Sequence, residues 1–498
     1  MRIGFDNNAY MKRQSEQILK RLGQFNHKLY LEFGGKLFDD YHAARVLPGF
    51  DANGKILLLK ELHEHIDTEI IFCINAADIE RNKIRADLGI TYDIDALRLI
   101  DSIRKMGLVV SSIVITQYKD QPSADVFKNR LENRGEKVYI HKYTKGYPTN
   151  VDLVVSEEGY GANPYIETTK PLVVVTAPGG ASGKMSTCLS QLYHEHKKHI
   201  KAGFAKYETF PIWNLQLNHP VNLAYEAATA DLNDFNAIDP FHLETYGKTA
   251  VNYNRDIEVF PIVKSILARI TANEGDGAYH SPTDMGVNMV GFCITDDEVV
   301  REAAKQEIIR RYFKTWCLYK EGRQSIGAVE KLEIMLKQLG ITPDYGLAVN
   351  PALEKSRQHK CPAIAMILQD GSTVTGRNTD VLAAASSLVL NGVKKLAGIP
   401  DDIHLISPNV LGPMMMLKEK ILYDKNPLLS LEEVLNALSI CAATDPSAEK
   451  SLIKLRDLRG CEAHSSHMLS QTDENTLKKL GVNVTCTPEF PSDSLYYV

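Results

Sequence analysis

The sequence lacks the patterns that mark membrane, secreted and nucleic-acid-binding proteins. No apolar run approaches the 18 residues of a membrane-spanning helix, and the opening MRIGFDNNAY contains no apolar signal core. No block of Lys and Arg is present, and the formal net charge is −5. We therefore expect neither secretion nor membrane insertion, and no nucleic-acid or membrane partner.

The cysteines also lack close spacing. None of the eight forms a C-x-x-C pair, and the nearest two, Cys441 and Cys461, are 20 positions apart. Such spacing is typical of reduced, mostly buried thiols, which predicts a cytoplasmic protein. Repeats and low-complexity segments are absent, and 44% apolar beside 24% charged residues excludes the disordered and fibrous classes.

At 498 residues the chain exceeds what one hydrophobic core usually supports. The pattern predicts an α/β domain over residues 1–204, with a mostly parallel, Rossmann- or P-loop-like sheet. A mainly helical region over 205–340 would form an insertion, and a smaller α/β domain would occupy 341–498.

Strands alternating with amphipathic helices support the parallel sheet. The expected strands of the first domain are Lys28–Phe33, Glu69–Ile74, Val109–Tyr118, Lys137–Tyr143, Val151–Val155 and Leu172–Thr176. In the last domain we expect a hairpin at Asp370–Gly371, a helix over Thr379–Leu396 with Asn378 as its N-cap, and a short strand over His404–Ile406.

The segment PLVVVTAPGGASGKMST, residues 171–187, is the most informative stretch of the chain. An apolar strand enters a glycine-rich turn that ends at Gly183–Lys184 and begins a helix. Free backbone N–H groups, the helix dipole and a lysine would then converge on one point, which favours a bound phosphate or other anion. The contacting residues would be Gly179, Gly180, Ser182, Gly183, Lys184 and Ser186.

This segment departs from the pattern G-x-x-x-x-G-K-[ST] of a P-loop. Pro178 occupies the place of the first glycine, and Met185 stands where the hydroxyl residue belongs, so Ser186 and Thr187 come one and two positions late. A turn that only lets strand and helix pack closely, with Ser182 as N-cap, is the alternative.

Two further loops carry candidate residues. Glu157 and Glu158 would follow the predicted strand Val151–Val155, where they could hold a metal ion. Residues 275–289, GDGAYHSPTDMGVNM, include His280 and Asp284 as candidate catalytic residues, and Asp284 is a further candidate for the metal. A plain surface connection is the alternative for that second loop.

The segment 461–467, CEAHSSH, brings a cysteine and histidines together. Cys461 and His464 could be zinc ligands, or a nucleophile and its base. A buried cysteine beside polar loop histidines is the structural alternative.

The stretch LYLEFGGK, residues 29–36, resembles the strand–Gly-Gly–Lys opening of amino-acid kinases, where a glycine turn meets the phosphates of ATP. The resemblance is short, and a strand-ending turn is the alternative. Gly34 and Gly35 would lie near residues 179–184 if both strands end at the same crevice.

Four segments together resemble a family of bacterial cytosolic proteins of unknown function, over the full length. They are residues 28–51 (KLYLEFGGKLFDDYHAARVLPGFD), 84–95 (IRADLGITYDID), 176–187 (TAPGGASGKMST) and 459–466 (RGCEAHSS). The resemblance implies a nucleotide-binding-like N-terminal region with a helical insertion and a smaller C-terminal α/β part. It implies no catalytic residue.

We therefore expect an enzyme that binds phosphate and acts on a small phosphorylated molecule or nucleotide in a kinase- or ligase-like reaction, with ATP and Mg²⁺ as conceivable cofactors. Lys184 would neutralise the phosphate charge. A non-catalytic metabolite-binding or regulatory protein is the alternative, and a homo-oligomer is conceivable for either.

Overall fold

The computed structural model describes residues 2–25, 28–85, 89–232, 234–271 and 279–492. Contacts separate two compact units. The N-terminal unit combines residues 2–226 with 233–304, and the C-terminal unit combines 227–232 with 305–498. The division into three segments made from the sequence stays a prediction.

A seven-stranded parallel sheet organises the N-terminal unit, which confirms the predicted fold class. In space the strands follow the order β7-β6-β1-β5-β2-β3-β4. Numbered along the chain, they are β1 (Leu29–Phe33), β2 (Thr68–Asn75), β3 (Val109–Tyr118), β4 (Val138–Lys142), β5 (Leu172–Thr176), β6 (Gly203–Tyr207) and β7 (Gly286–Val287). Two short antiparallel pairs accompany them, Ile84–Arg85 with Ile90–Thr91 and Asn236–Ile238 with Val251–Tyr253.

Helices connect these strands. Those of the N-terminal unit are Asn7–Gly23, Tyr41–Val46, Gly54–His65, Ala76–Glu80, Tyr92–Lys105, Pro122–Glu132, Val151–Val154, Lys184–Lys197, Pro220–Ala228 (which ends just past the boundary), Pro240–Tyr246, Asn254–Ile270 and Pro282–Met285. The predicted strand Val151–Val155 is wrong. Asn150 accepts a hydrogen bond from the N–H of Leu153 at 3.0 Å, and this cap begins a helix instead.

The strand order contains a reversal between β1 and β5. From β1 the chain crosses over β5 to reach β2, whereas from β5 it crosses over β1 in the opposite direction to reach β6. Right-handed crossovers in opposite directions place their helices on opposite faces of the sheet. The carboxyl ends of β1 and β5 are therefore the topological switch point of the sheet, the position where ligands bind in such sheets.

The Lys184–Lys197 helix covers one face of this sheet. Its Cys188, Leu189 and Leu192 join a buried cluster with Val173 and Val175 of β5. Burial of several such side chains at about 1.5–3 kcal/mol each fixes the helix against the sheet. The start of the helix is thereby held at the carboxyl end of β5.

The C-terminal unit has a mixed four-stranded sheet in the order β9-β8-β10-β11, formed by β8 (Ala363–Ile367), β9 (Thr373–Arg377), β10 (Glu462–Ser465) and β11 (Asn483–Cys486). The predicted hairpin at Asp370–Gly371 is confirmed as the antiparallel pair β8–β9. Its helices are Ile326–Gln338, Val349–His359, Ala384–Ala397, Pro408–Met416, Leu431–Cys441, Pro446–Lys454 and Gln471–Lys479, and Asp297–Lys320 runs from the first unit into the second.

Three sequence expectations in this unit need correction. The helix predicted from Thr379 begins at Ala384, because the Thr379 hydroxyl accepts from the N–H of Leu382 and holds a turn there. The N-cap position is Ala383, so the predicted cap Asn378 is wrong, although its side chain accepts from the N–H of Ala384 at 2.8 Å. Residues 404–406 form no strand. Within the described ranges, no helix has the length and apolarity needed to cross a membrane.

Candidate functional site

The glycine-rich loop from Ala177 to Gly183 follows the carboxyl end of β5, at the switch point of the sheet. Its carbonyl groups are held by neighbouring strand ends. The Ala181 carbonyl accepts from Asn75 Nδ2 at 3.1 Å, at the end of β2, and the Ser182 carbonyl accepts from Thr116 Oγ1 at 2.8 Å, in β3. Inside the loop, Ser182 Oγ donates to the Gly179 carbonyl at 2.6 Å. These contacts fix the loop with its carbonyls engaged.

The N–H groups of this loop and of the first helical turn, from Gly179 to Ser186, have no acceptor among the described residues. Ala181 and Gly183 have left-handed φ values of +55° and +75°, and their neighbours in the loop do not. Such alternation is typical of a nest, a backbone turn in which successive N–H groups can face one anion, and we call residues 179–186 the nest.

Lys184 adds charge to this nest. It is the first residue of the Lys184–Lys197 helix, and its ammonium nitrogen lies 3.4 Å from the Gly179 carbonyl, across the loop. The side chain of Tyr92 packs against Gly179, where a Cβ would lie 2.8 Å from the phenol oxygen. The loop is therefore enclosed on one side, whereas Gly180 faces open space.

The hydroxyls after Lys184 do not reproduce a P-loop magnesium site. Thr187 Oγ1 donates to the Gly183 carbonyl at 3.0 Å, and Ser186 is exposed. The position directly after the lysine is Met185, which has no oxygen ligand. Among the described residues, no group of three or more His, Cys, Asp or Glu side chains is arranged to hold a metal ion.

The end of β1 lies beside the loop, because Glu32 pairs with Val175 of β5 in register. The N–H of Gly34 donates to the Tyr207 carbonyl at 3.0 Å, and a Cβ there would lie 2.7 Å from that oxygen. Gly34 therefore serves close packing of β1 against β6, and its N–H is not available to a phosphate. Gly35, with a φ of +71°, is exposed.

A buried ion pair supports that turn. Lys55 Nζ lies 2.7 Å from Asp40 Oδ2, and Lys55 is 1% exposed. Burial raises the pKa of Asp40, but the ammonium of Lys55 lowers it by more, so the carboxyl titrates below its ordinary range. A Cβ on Gly35 would lie 3.1 Å from the same ammonium nitrogen.

Four titratable side chains, which we call the carboxyl cluster, gather at the ends of β1 and β6. They are Glu32, Lys206, Glu208 and Asp256. Lys206 pairs in register with Glu32, and its ammonium lies 2.8 Å from Asp256 Oδ1. Glu32 Oε2 is buried and has no hydrogen-bond partner among the residues described.

Glu208 has the most perturbed carboxyl of this cluster. Burial is the main cause, and the neighbouring Asp256 and Glu32 add to it, so that the pKa of Glu208 rises to about 8 despite Lys206. For Lys206, burial lowers the pKa, yet the nearby carboxylates raise it further, and the ammonium stays charged. Groups with such perturbed pKa values gather at functional sites.

The carboxyl cluster and the loop lie at the same ends of neighbouring strands. Glu32 of β1 pairs in register with Val175 of β5, and the loop begins two residues later, at Ala177. Lys184, at the start of the following helix, and the group of carboxyls thus both follow the carboxyl ends of adjoining strands.

The candidate metal ligands Glu157 and Glu158 do not lie at these strand ends. Glu157 is exposed and pairs with Lys197, at the other end of a 14-residue helix from Lys184. At 1.5 Å per residue that end is about 20 Å away. Glu158 is exposed and pairs with Lys145 at 3.7 Å. Because the expected strand before them is a helix, they follow no carboxyl strand end.

Asp284 serves as a helix cap. It forms a capping box with Ser281, and its carboxylate also accepts from the N–H of His280 at 3.0 Å and from the hydroxyl of Tyr246 at 3.0 Å. It precedes β7, on the amino side of that strand, so the structure does not bring it to the carboxyl ends. His280 is exposed, and residues 275–278 of this loop lie outside the described residues.

Cys461 and His464 belong to the C-terminal unit. Burial raises the pKa of Cys461 to about 11, and its thiol contacts the Asp457 carbonyl. Both ring nitrogens of His464 have hydroxyl partners, Thr485 at 2.8 Å and Thr487 at 3.0 Å, and burial lowers its pKa to about 3. A protonated thiol and a fully bonded neutral imidazole do not favour a nucleophile–base pair.

Sequence reasoning missed the carboxyl cluster and the two strand-end residues that hold the loop, Asn75 and Thr116. A signal was present in β1 and β6, where Glu32 and Lys206 interrupt apolar strands close to their carboxyl ends. Their pairing depends on β1 and β6 being neighbours, which the chain order does not reveal.

Comparison with known proteins gives full-length matches. Residues 3–340 match the profile described as "Domain of unknown function DUF1846, N-terminal", and residues 345–496 match its C-terminal counterpart. Proteins named UPF0371 from Clostridium botulinum (strain Alaska E43 / Type E3) and Clostridium tetani are each 56% identical over 100% of both chains. A UPF0371 protein from Clostridioides difficile is 54% identical over the same full extent.

Proposed function

Because the chain belongs to the DUF1846 family, whose description states no activity, we propose its function from the geometry: a phosphate-binding enzyme that acts on a small phosphorylated metabolite. One observation carries the proposal. The N–H groups of the nest, from Gly179 to Ser186, lie beside the ammonium of Lys184. An anion bound there would accept hydrogen bonds from these N–H groups, which have no acceptor among the described residues.

Catalysis, rather than sensing alone, is supported by the carboxyl cluster. A sensor needs only hydrogen-bond donors, whereas an enzyme also needs acid–base groups next to the anion. Glu208, with its raised pKa, meets that need near neutral pH.

A kinase- or ligase-like transfer is the reaction that this arrangement suits best, because positioning and charge stabilisation supply most of the catalysis in such reactions. ATP is the phosphoryl donor that this reaction class uses. The residues present do not fit the usual P-loop magnesium ligands, so no step is assigned to a metal ion.

The binding test compares two lysines of one helix. Lys184→Ala should weaken the binding of inorganic pyrophosphate about 10- to 100-fold in calorimetry, because a hydrogen bond to a charged group contributes about 1.5–3 kcal/mol. Lys197→Ala, at the far end of the helix, should bind pyrophosphate like the wild type. Full affinity in Lys184→Ala would remove the basis of the proposal.

A second experiment separates enzyme from sensor. ATP turnover is measured with a panel of phosphorylated metabolites: ADP together with a product that has gained the phosphoryl group indicates a kinase-like reaction, whereas ADP with free phosphate, or AMP with pyrophosphate, together with a product that joins two substrates indicates a ligase-like one. Tight binding of a metabolite without turnover of any kind would favour the regulatory alternative.

A further inference from the structure

The carboxyl cluster differs from the loop in what it can recognise. One ammonium, that of Lys206, stands among the carboxyl groups of Glu32, Glu208 and Asp256. It lies 2.8 Å from Asp256 Oδ1, and within the described ranges neither Glu32 nor Glu208 forms a salt bridge. A second anion is therefore disfavoured here, and groups that donate hydrogen bonds are favoured.

Two of these carboxyls have unmet hydrogen-bonding capacity. Glu32 Oε2 is buried with no donor among the described residues, and a buried acceptor without a donor costs about 1–3 kcal/mol. The Glu208 carboxyl likewise accepts no hydrogen bond from any residue in the described part of the chain. A ligand donor could satisfy both groups.

The absence of a side chain at Gly286 leaves room for the Glu208 carboxyl. A Cβ on Gly286, in the neighbouring strand β7, would lie 2.4 Å from Glu208 Oε2. The φ of Gly286 is −78°, which any residue can adopt. Glycine at this position therefore provides room for the carboxyl, since the backbone itself does not require it.

The carboxyl cluster and the nest lie at the same ends of neighbouring strands, because Glu32 of β1 pairs in register with Val175 of β5 and the loop begins two residues later, at Ala177. We infer that the ligand has a phosphate at one end and hydroxyl groups at the other: a phosphorylated polyol or sugar, with its phosphate in the nest and its hydroxyls on Glu32 and Glu208. This inference rests on the proposed function, because it assumes the phosphate seat.

The test uses ligands of equal charge that differ in hydroxyls. By calorimetry, wild-type protein should bind glycerol 3-phosphate at least tenfold more tightly than propyl phosphate, which lacks both hydroxyls. Glu32→Gln, which replaces a carboxylate acceptor by a neutral amide, and Glu208→Leu, which removes both oxygens, should each reduce this ratio at least threefold and leave the affinity for inorganic phosphate unchanged. Retained phosphate binding shows that each variant is folded.

Each contrary outcome has its own meaning. Equal affinities for glycerol 3-phosphate and propyl phosphate in the wild type, with phosphate still bound, would overturn the inference and leave the phosphate seat standing. An undiminished ratio in both variants would also overturn it. Failure of the wild type to bind any of the three ligands would instead overturn the proposed function.

Discussion

A single carboxyl, that of Glu208, should make stability depend on pH. Its folded-state pKa of about 8 lies above the ordinary 4.5, so its contribution to stability is complete below about pH 4.5 and is lost as the pH rises through 8. Glu208→Gln removes this titration. The variant should gain stability relative to the wild type between pH 5 and 8, by more than about 1 kcal/mol, given about 1.4 kcal/mol per pKa unit.

Urea unfolding at several pH values measures this gain. Glu64→Gln, at an exposed position on the Gly54–His65 helix, is the matched control and should follow the pH profile of the wild type. A stability difference between Glu208→Gln and the wild type that stays constant with pH would contradict a protonated Glu208.

The ion pair of Lys55 and Asp40 should be strongly coupled. Lys55→Met leaves a buried carboxylate without its partner, which typically costs about 3–5 kcal/mol. The double variant Lys55→Met/Asp40→Asn removes both charges and keeps an oxygen to cap the Tyr41–Val46 helix, so it should recover most of that loss. Urea unfolding of the single and double variants gives the coupling, and strictly additive losses would argue against the pair.

At the scale of one element, the loop after β5 should accept alanine at Gly180 without loss of stability, whereas alanine at Gly183 should destabilise the protein. Gly183 has a φ of +75°, and its Cβ would lie 2.8 Å from the Thr116 side chain. Gly183→Ala should therefore cost about 2 kcal/mol or more in urea unfolding. Gly180 is outside the left-handed region with open space around it, so Gly180→Ala should leave stability unchanged or up to about 1 kcal/mol higher. Similar losses in both would contradict the loop geometry.

Elements with a strong local signal could be predicted from the sequence. Val109–Tyr118 and Leu172–Thr176 have the predicted bounds, because both segments are rich in Val, Ile and Thr, which favour strands. Val151–Val155 also contains three valines, but a single side-chain cap at Asn150 outweighs them over so short a length. A helix cap depends on one side-chain hydrogen bond, which cannot be predicted from the spacing of apolar residues.

At the scale of the molecule, occupancy of the site should affect one unit more than the other. Every residue of the nest and of the carboxyl cluster belongs to the N-terminal unit. Hydrogen exchange with saturating pyrophosphate should therefore show the strongest protection in peptides spanning residues 177–190, with little change in peptides from 363–377 and 462–486. Equal protection in both units would mean that the anion binds elsewhere or acts on the whole chain.

The candidate site could be predicted only in part. The loop 179–184 is continuous in sequence, so its lysine and glycines could be found by spacing. The carboxyl cluster joins Glu32, Lys206, Glu208 and Asp256, which are up to 224 positions apart. The order of parallel strands brings them together, and that order follows from crossover packing, which no local pattern encodes.

Ala181 is the one non-glycine residue of the loop in the left-handed region, at a φ of +55°, a conformation that costs about 1–2 kcal/mol. The side chain of Asn75 holds its carbonyl in that conformation. The backbone N–H groups would thus be preorganised for an anion, and binding would require no rearrangement of the loop. The association rate constant should then be near the diffusion limit and fall sharply with added salt. Ligands of different affinity should differ mainly in their dissociation rate constants.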